Sequence, residues 1–232
     1  MAVAGRIMAA SPGQTQSPLT DPWRVLAMQH HFTAISQVHD AVIRGDLRAV
    51  LPPAAELAAM QTPAGLPETV DPVVRILRQA GRVAGSAPNL RTAAAATVTM
   101  LQQCATCHQM VGIYPAPVPP KRPDLGGIVG HMLDHLRAAD DLLQGLVVPS
   151  ESLWQSGAAR LRTATLDPRD WPRDPKLTAA ARNADTAVHA LADRAARATT
   201  KNQRGAVYAE LLVTCASCHG LHRGVWGPRS SR

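Results

Sequence analysis

Ala206-Val207-Tyr208-Ala209-Glu210-Leu211-Leu212-Val213-Thr214-Cys215-Ala216-Ser217-Cys218-His219 is the stretch from which the rest of the chain can be read. Val207, Leu211 and Leu212 recur at the spacing of one helix face. The helix they predict runs straight into Cys-x-x-Cys-His. The same pentapeptide pattern occurs at Cys104-Ala105-Thr106-Cys107-His108. Together the two motifs use all four cysteines of the 232-residue chain.

Two cysteines three positions apart, followed at once by histidine, are the attachment signature of c-type haem. The two thiols add to the two vinyl groups on one porphyrin edge as thioethers. The adjacent histidine then lies under the ring and can ligate iron through a ring nitrogen. A structural zinc site also uses paired cysteines, but its ligand pairs lie close together in sequence, and about a hundred residues separate these motifs. A thioredoxin-like dithiol opens a helix after a strand in an α/β pattern, and no strand pattern precedes either motif. The expectation is therefore two covalent c-type haems (Fe). Cys104, Cys107, Cys215 and Cys218 would be the attachment points, and His108 and His219 the iron ligands beside them.

The chain repeats itself. A shift of 100 residues places His31 on His131, Asp40 on Asp140 and Gly45 on Gly145, while the haem motifs are offset by 111. The eleven extra residues of the second half are expected in the loop from Leu166 to Pro175. Tyr114 to Pro123 holds five prolines in ten residues and reads as a stiff linker. The predicted organisation is a signal remnant or disordered N-terminus over 1–20, a first unit over 21–113, the proline-rich linker over 114–123, and a second unit over 124–228.

Each half reads as four helices, so the fold class is all-α, with two tandem four-helix bundles that each end in a haem motif. In the first half the helices are expected at about 22–44, 47–61, 72–85 and 89–108. Asp21 and Asp71 are the expected caps, Pro22 and Pro72 the first helical residues, and Gly45 a stop. In the second half they are expected at about 125–145, 150–165, 175–198 and 200–219. Ser150 caps the second of these and Gly145 ends the first.

Aromatic residues make up only 3% of the chain, with a single Phe. A porphyrin in each half would supply the missing apolar bulk. The formal charge of +7 and the pI of about 9.9 favour acidic partners or anionic surfaces. No basic run interleaved with aromatics points to nucleic acid. Covalent haem attachment takes place outside the bacterial cytoplasm, so a periplasmic or otherwise exported protein is expected. Met1 to Thr20 holds only a short apolar stretch, Ile7 to Ala10, which is too short for a normal signal core, so the start lies upstream or this stretch is a remnant. No segment approaches eighteen uncharged apolar residues, so no transmembrane helix is expected.

A four-helix unit with Cys-x-x-Cys-His at the end of its last helix, and with Arg223 four residues beyond His219, resembles the cytochrome c-prime family. The resemblance covers the plan of each half and implies that Arg223 lies near the haem propionates. The first half departs from it, with Gly112 at the matching place, and a tandem two-haem chain also differs from the family's usual single bundle. The resemblance further implies that helix one supplies the residue on the far side of the iron. That residue is apolar in gas-binding members and methionine in low-spin ones.

Helix one of the first half offers Met28, His30, His31 and His39; that of the second offers His131, Met132 and His135. Under the 100-residue register only His31 and His131 are ligand types in both halves. The expected iron ligands are therefore His108 with His31 and His219 with His131. Met28, and Met132 or His135, are the rivals. Trp154 and Trp171 read as packing residues, Met60, Met100 and Met110 as core or surface, and His189 and His222 as exposed. Two six-coordinate haems imply electron transfer between periplasmic or membrane redox partners rather than catalysis. The alternatives are a gas binder or sensor with an open distal site and, last, a di-haem peroxidase.

Overall fold

Ala34, Ile35, Val38, Ala41 and Val42 recur every three or four residues and are all but inaccessible to solvent. That spacing buries one stripe of the first helix. The computed structural model describes residues 22–63, 65–114 and 123–226, with side chains to residue 220. Every regular element among them is helical: α1 Pro22–Ile43, α2 Leu47–Ala59, α3 Asp71–Gly85, α4 Leu90–Val111, α5 Gly127–Val147, α6 Glu151–Thr163, α7 Pro175–Arg197 and α8 Lys201–Trp226. The expected eight helices are all present. The N-terminal segment, Asp21 and nearly all of the proline-rich linker lie outside the described residues.

Local chemistry sets the helix ends. Asp46 accepts the backbone N–H groups of Arg48 and Ala49, both at 3.1 Å, and opens α2. Asn89 accepts from Thr92 at 2.9 Å to open α4, and Asp174 accepts from Lys176 ahead of Pro175 to open α7. Ser150 opens α6 by accepting from Leu153, as expected. Asp71 is not a cap. A short 3-10 turn at Glu68–Val70 leads into α3, and Asp71 is already helical, its carboxylate accepting from the Thr62 hydroxyl at 2.8 Å.

The two glycines expected to end helices differ. Gly45 takes φ 65°, and the pair Gly45 N to Val42 O and Asp46 N to Ala41 O closes α1 in a left-handed cap. Gly145 ends nothing, because α5 continues to Val147. A Cβ there would lie 2.8 Å from the backbone nitrogen of Trp154. The 100-residue shift paired the two residues, but the structure offsets these helices by 104, with α2 opening at Leu47 and α6 at Glu151, so Gly145 lies inside α5 and serves the close crossing of α5 and α6.

Within the first half, α1 packs on α2 and α4, and α3 packs on both α2 and α4. Within the second, α5 packs on α6 and α8, and α7 packs on both α6 and α8. Short connections reverse the chain at each step, so the start of α1 lies at the same end as the close of α4, and likewise for α5 and α8. The halves also pack on each other through α4 with α8, α1 with α8 and α4 with α5. Exchanging the halves turns α1–α8 into α5–α4 and returns α4–α8 to itself, so the contact is an internal pseudo-two-fold pairing. One hydrophobic core runs through both halves. At the seam, the buried Tyr208 hydroxyl donates to Ala139 O at 2.9 Å and accepts from His39 Nε2 at 2.7 Å. This joins α8, α5 and α1.

Candidate functional site

On a helix, residues three and four apart share a face. Cys104, Cys107 and His108 therefore line one side of α4 near its end, and Cys215, Cys218 and His219 one side of α8. All four cysteines are unpaired and half-buried. Burial, reinforced by the neighbouring cysteine, pushes the Cys104 and Cys215 thiols up to about 12. Burial also raises those of Cys107 and Cys218. The thiols are held protonated, which disfavours use as thiolate nucleophiles.

α4 and α8 lie antiparallel. The Gln102 side chain donates to Lys201 O at 2.9 Å, and Lys201 Nζ donates to Thr106 at 2.6 Å. The start of α8 thus sits beside the first motif, and the second motif lies roughly 24 Å further along the pair at 1.5 Å per residue. The two motifs occupy opposite ends of the seam.

The second motif opens onto a cavity of about 810 Å³, within the size range of cofactor sites. Cys215, Cys218 and His219 form one wall, and His131, Met132 and His135 of α5 another. Leu166 and Trp171 come from the α6–α7 connection, and Asp40, Ile43, Arg44 and Asp46 from the first half. That connection, 164–174, is no longer than its counterpart 60–70, so the extra length expected there lies instead in α7, which has 23 residues against 15 in α3. Arg182 stacks its guanidinium 5.6 Å from the Trp171 ring centre.

His131 is buried. Its Nε2 donates to Asp185 Oδ1 at 3.0 Å, and its Nδ1 is buried without a hydrogen bond. His135 packs its ring 4.2 Å from that of His131, centre to centre, and its buried Nε2 also lacks a hydrogen bond. Burial, with His131 and His189 adding to it and Asp134 opposing, lowers His135 to about 3, so it is a neutral imidazole with a lone pair. His189, expected to be exposed, is half-buried and lies 3.6 Å from the other Asp185 oxygen. Asp185 thus gathers three histidines.

The first motif is held differently. His108 Nδ1 donates to Val147 O, at the end of α5, at 3.1 Å. This fixes the tautomer and leaves Nε2 with the lone pair. Burial lowers His108, with that bond opposing. His31 lies at the same end of the first half, half-buried, its Nδ1 buried without a hydrogen bond. Burial and the neighbouring His30 lower it, with Glu56 opposing. Of its rivals on α1, His30 is exposed and pairs with Glu56 at 3.3 Å, and His39 is committed to Tyr208.

The structure thus places His131 and His135 opposite Cys215, Cys218 and His219 in one cavity, and His31 at the same end as Cys104, Cys107 and His108. The side chains of His222 and Arg223 lie outside the described residues. Sequence reasoning missed Asp185 and His189, whose four-residue spacing on α7 was the available signal, and the contributions of each half to the other's site. Trp154 is packing, as expected, with its indole N–H donating to Ala195 O at 2.8 Å. Comparison with protein-family models, curated proteins and solved structures gives no match.

Proposed function

We propose that the protein is a di-haem c-type cytochrome, built as two tandem four-helix units resembling cytochrome c-prime, that carries electrons between exported or membrane-bound redox partners. One observation carries this reading. The second Cys-x-x-Cys-His shares a cofactor-sized cavity with a buried histidine from the helix predicted to face it. The donor set fits: paired thiols on one helix face, the adjacent His219, and an imidazole nitrogen of His131 that has no other hydrogen bond. In the first half Cys104 and Cys107 would tether the group, with His108 and His31 offering ring nitrogens. When bound, haem supplies a one-electron carrier whose potential is set by its axial ligands and surroundings.

The chain's own residues do the rest. Val147 orients His108. Leu166, Trp171, Ile43 and Val188 give the second cavity an apolar lining. The basic surface suits partners with acidic faces, and among the described residues no helix is long and apolar enough to cross a membrane. One observation favours a second reading: the His131 Nε2 bond to Asp185. If that bond holds His131 away from the metal, the second site stays open and binds small gases.

The test is a pyridine haemochrome assay on protein from a host competent in c-type maturation. Two haems per chain are expected, falling to one in Cys104→Ala or Cys215→Ala. Colourless protein from such a host defeats the reading. Carbon monoxide bound by the unmutated protein selects the gas-binding form.

A further inference from the structure

α5 and α7 stand diagonally across the second half, each packed on α6 and α8. Side chains pointing inward from both meet in its interior. His131 and His135 are four residues apart on α5, and Asp185 and His189 are four apart on α7, so each pair projects from one face. The ligand atoms of His131, His135 and Asp185 all lie within 4.8 Å of one another. Asp185 Oδ1 is 3.0 Å from His131 Nε2 and 3.9 Å from His135 Nε2, and Asp185 Oδ2 is 3.6 Å from His189 Nε2. Ligands at zinc–nitrogen and zinc–oxygen bond lengths in a tetrahedron stand roughly 3.4 Å apart. The ligand atoms of His131, His135 and Asp185 need only small side-chain adjustments to reach that spacing, with His189 at the edge of the group beside Asp185.

Two features set it apart from a solvated charge cluster. The His131 side chain is 3% exposed and the Asp185 side chain 20%, so solvent does not satisfy them well. Buried polar atoms normally have partners, yet His135 Nε2, which faces Asp185 within the cluster, has no hydrogen bond. Three imidazoles and one carboxylate are a borderline donor set, suited to zinc, copper, iron or nickel rather than magnesium or calcium.

We infer that His131, His135 and Asp185, with His189 as a fourth donor, bind one divalent transition-metal ion of the zinc class in the wall of the second cavity. The inference stands on these residues and does not need the haem reading. The two meet only at His131, which cannot serve the cation and a haem iron at once. The cation therefore belongs to the chain whose second motif carries no covalent group.

The experiment is a cobalt(II) titration of the full-length chain made without c-type maturation, with helix content followed by circular dichroism. One cobalt per chain is expected, with the d–d absorption of a four- or five-coordinate nitrogen and oxygen site. Asp185→Asn and His135→Ala should each weaken binding at least tenfold, while His30→Ala should leave it unchanged. A chain that shows no cobalt band, folded or not, overturns the inference, as does a thiolate charge-transfer band placing the metal on the cysteines. Cobalt binding unaffected by Asp185→Asn and His135→Ala also overturns it. The haemochrome assay on matured protein reads the haem proposal separately, so either can fail alone.

Discussion

At the scale of residues, spacing revealed the motifs and distance in sequence hid their surroundings. Cys104 to His108 and Cys215 to His219 are local patterns, legible without a structure. His31 and His131 came from a 100-residue register, but the ends of the first two helices of each half are offset by 104, which matches His31 with His135 instead. Asp185 and Val147 could not be found that way, since what they contribute is a direction across the fold. The His39–Tyr208 contact spans 169 residues, and no pattern in the sequence announces it. In the proposed reading, His31→Ala and His131→Ala should each turn one haem from low-spin to high-spin and let carbon monoxide bind. A spectrum unchanged in both variants would remove these histidines from the iron. Tyr208→Phe strips the partner from buried His39 Nε2, while Ala139 O, inside α5, keeps its helical bond. An orphaned buried group costs about 1–3 kcal/mol, so the denaturation midpoint should fall clearly. An unchanged midpoint would mean that water replaces the hydroxyl.

At the scale of elements, most of the fold was readable because proline, glycine and capping residues punctuate an otherwise helical chain. α3 and α7 begin at or beside Pro72 and Pro175, α6 follows its serine cap, and α1 stops at Gly45. The misreading at Gly145 is instructive. A glycine near a helix end can serve the backbone or a neighbouring helix, and sequence does not separate the two. Gly145→Ala should therefore destabilise by overpacking against the Trp154 backbone, about 1–3 kcal/mol, with helix content by circular dichroism preserved. Unchanged thermal stability would show that α5 and α6 can separate at no cost. The 166–175 loop was read as extra length, but the added residues lengthen α7 instead, Pro175–Arg197 against Asp71–Gly85; a helix extended by whole turns leaves no punctuation to mark it. That the loop lines the second cavity with Leu166 and Trp171 depends on how the chain folds back.

At the scale of the whole molecule, the duplication is more than a tandem arrangement. Its halves meet through α4 with α8 and the exchanged pairs α1–α8 and α4–α5, as two copies of one subunit would in a two-fold dimer. The sequence showed the repeat but not this pairing, because the contact residues are ordinary apolar positions of helices that are buried in any case. Apolar side chains of both halves, Val98 and Leu101 with Leu142 and Val207 among them, belong to the shared core. Cleavage between Tyr114 and Pro123 should therefore leave two fragments that co-elute in size-exclusion chromatography without denaturant. Fragments that part and each keep full helix content would show the seam to be dispensable.

The His108 bond to Val147 has a consequence in time. A chain is made from its N-terminus, and Val147 lies 39 residues beyond His108. Lys201, which braces Thr106 inside the first motif, lies 95 residues beyond it. The first motif therefore emerges before the groups that will orient it exist, as a bare helix end open to whatever modifies it. When the second motif emerges, Asp40, Ile43, Arg44 and Asp46, which line its cavity, are already made. Two pentapeptides alike in sequence thus present themselves to any maturation machinery in opposite conditions, the earlier one before the groups that brace it are made and the later one after.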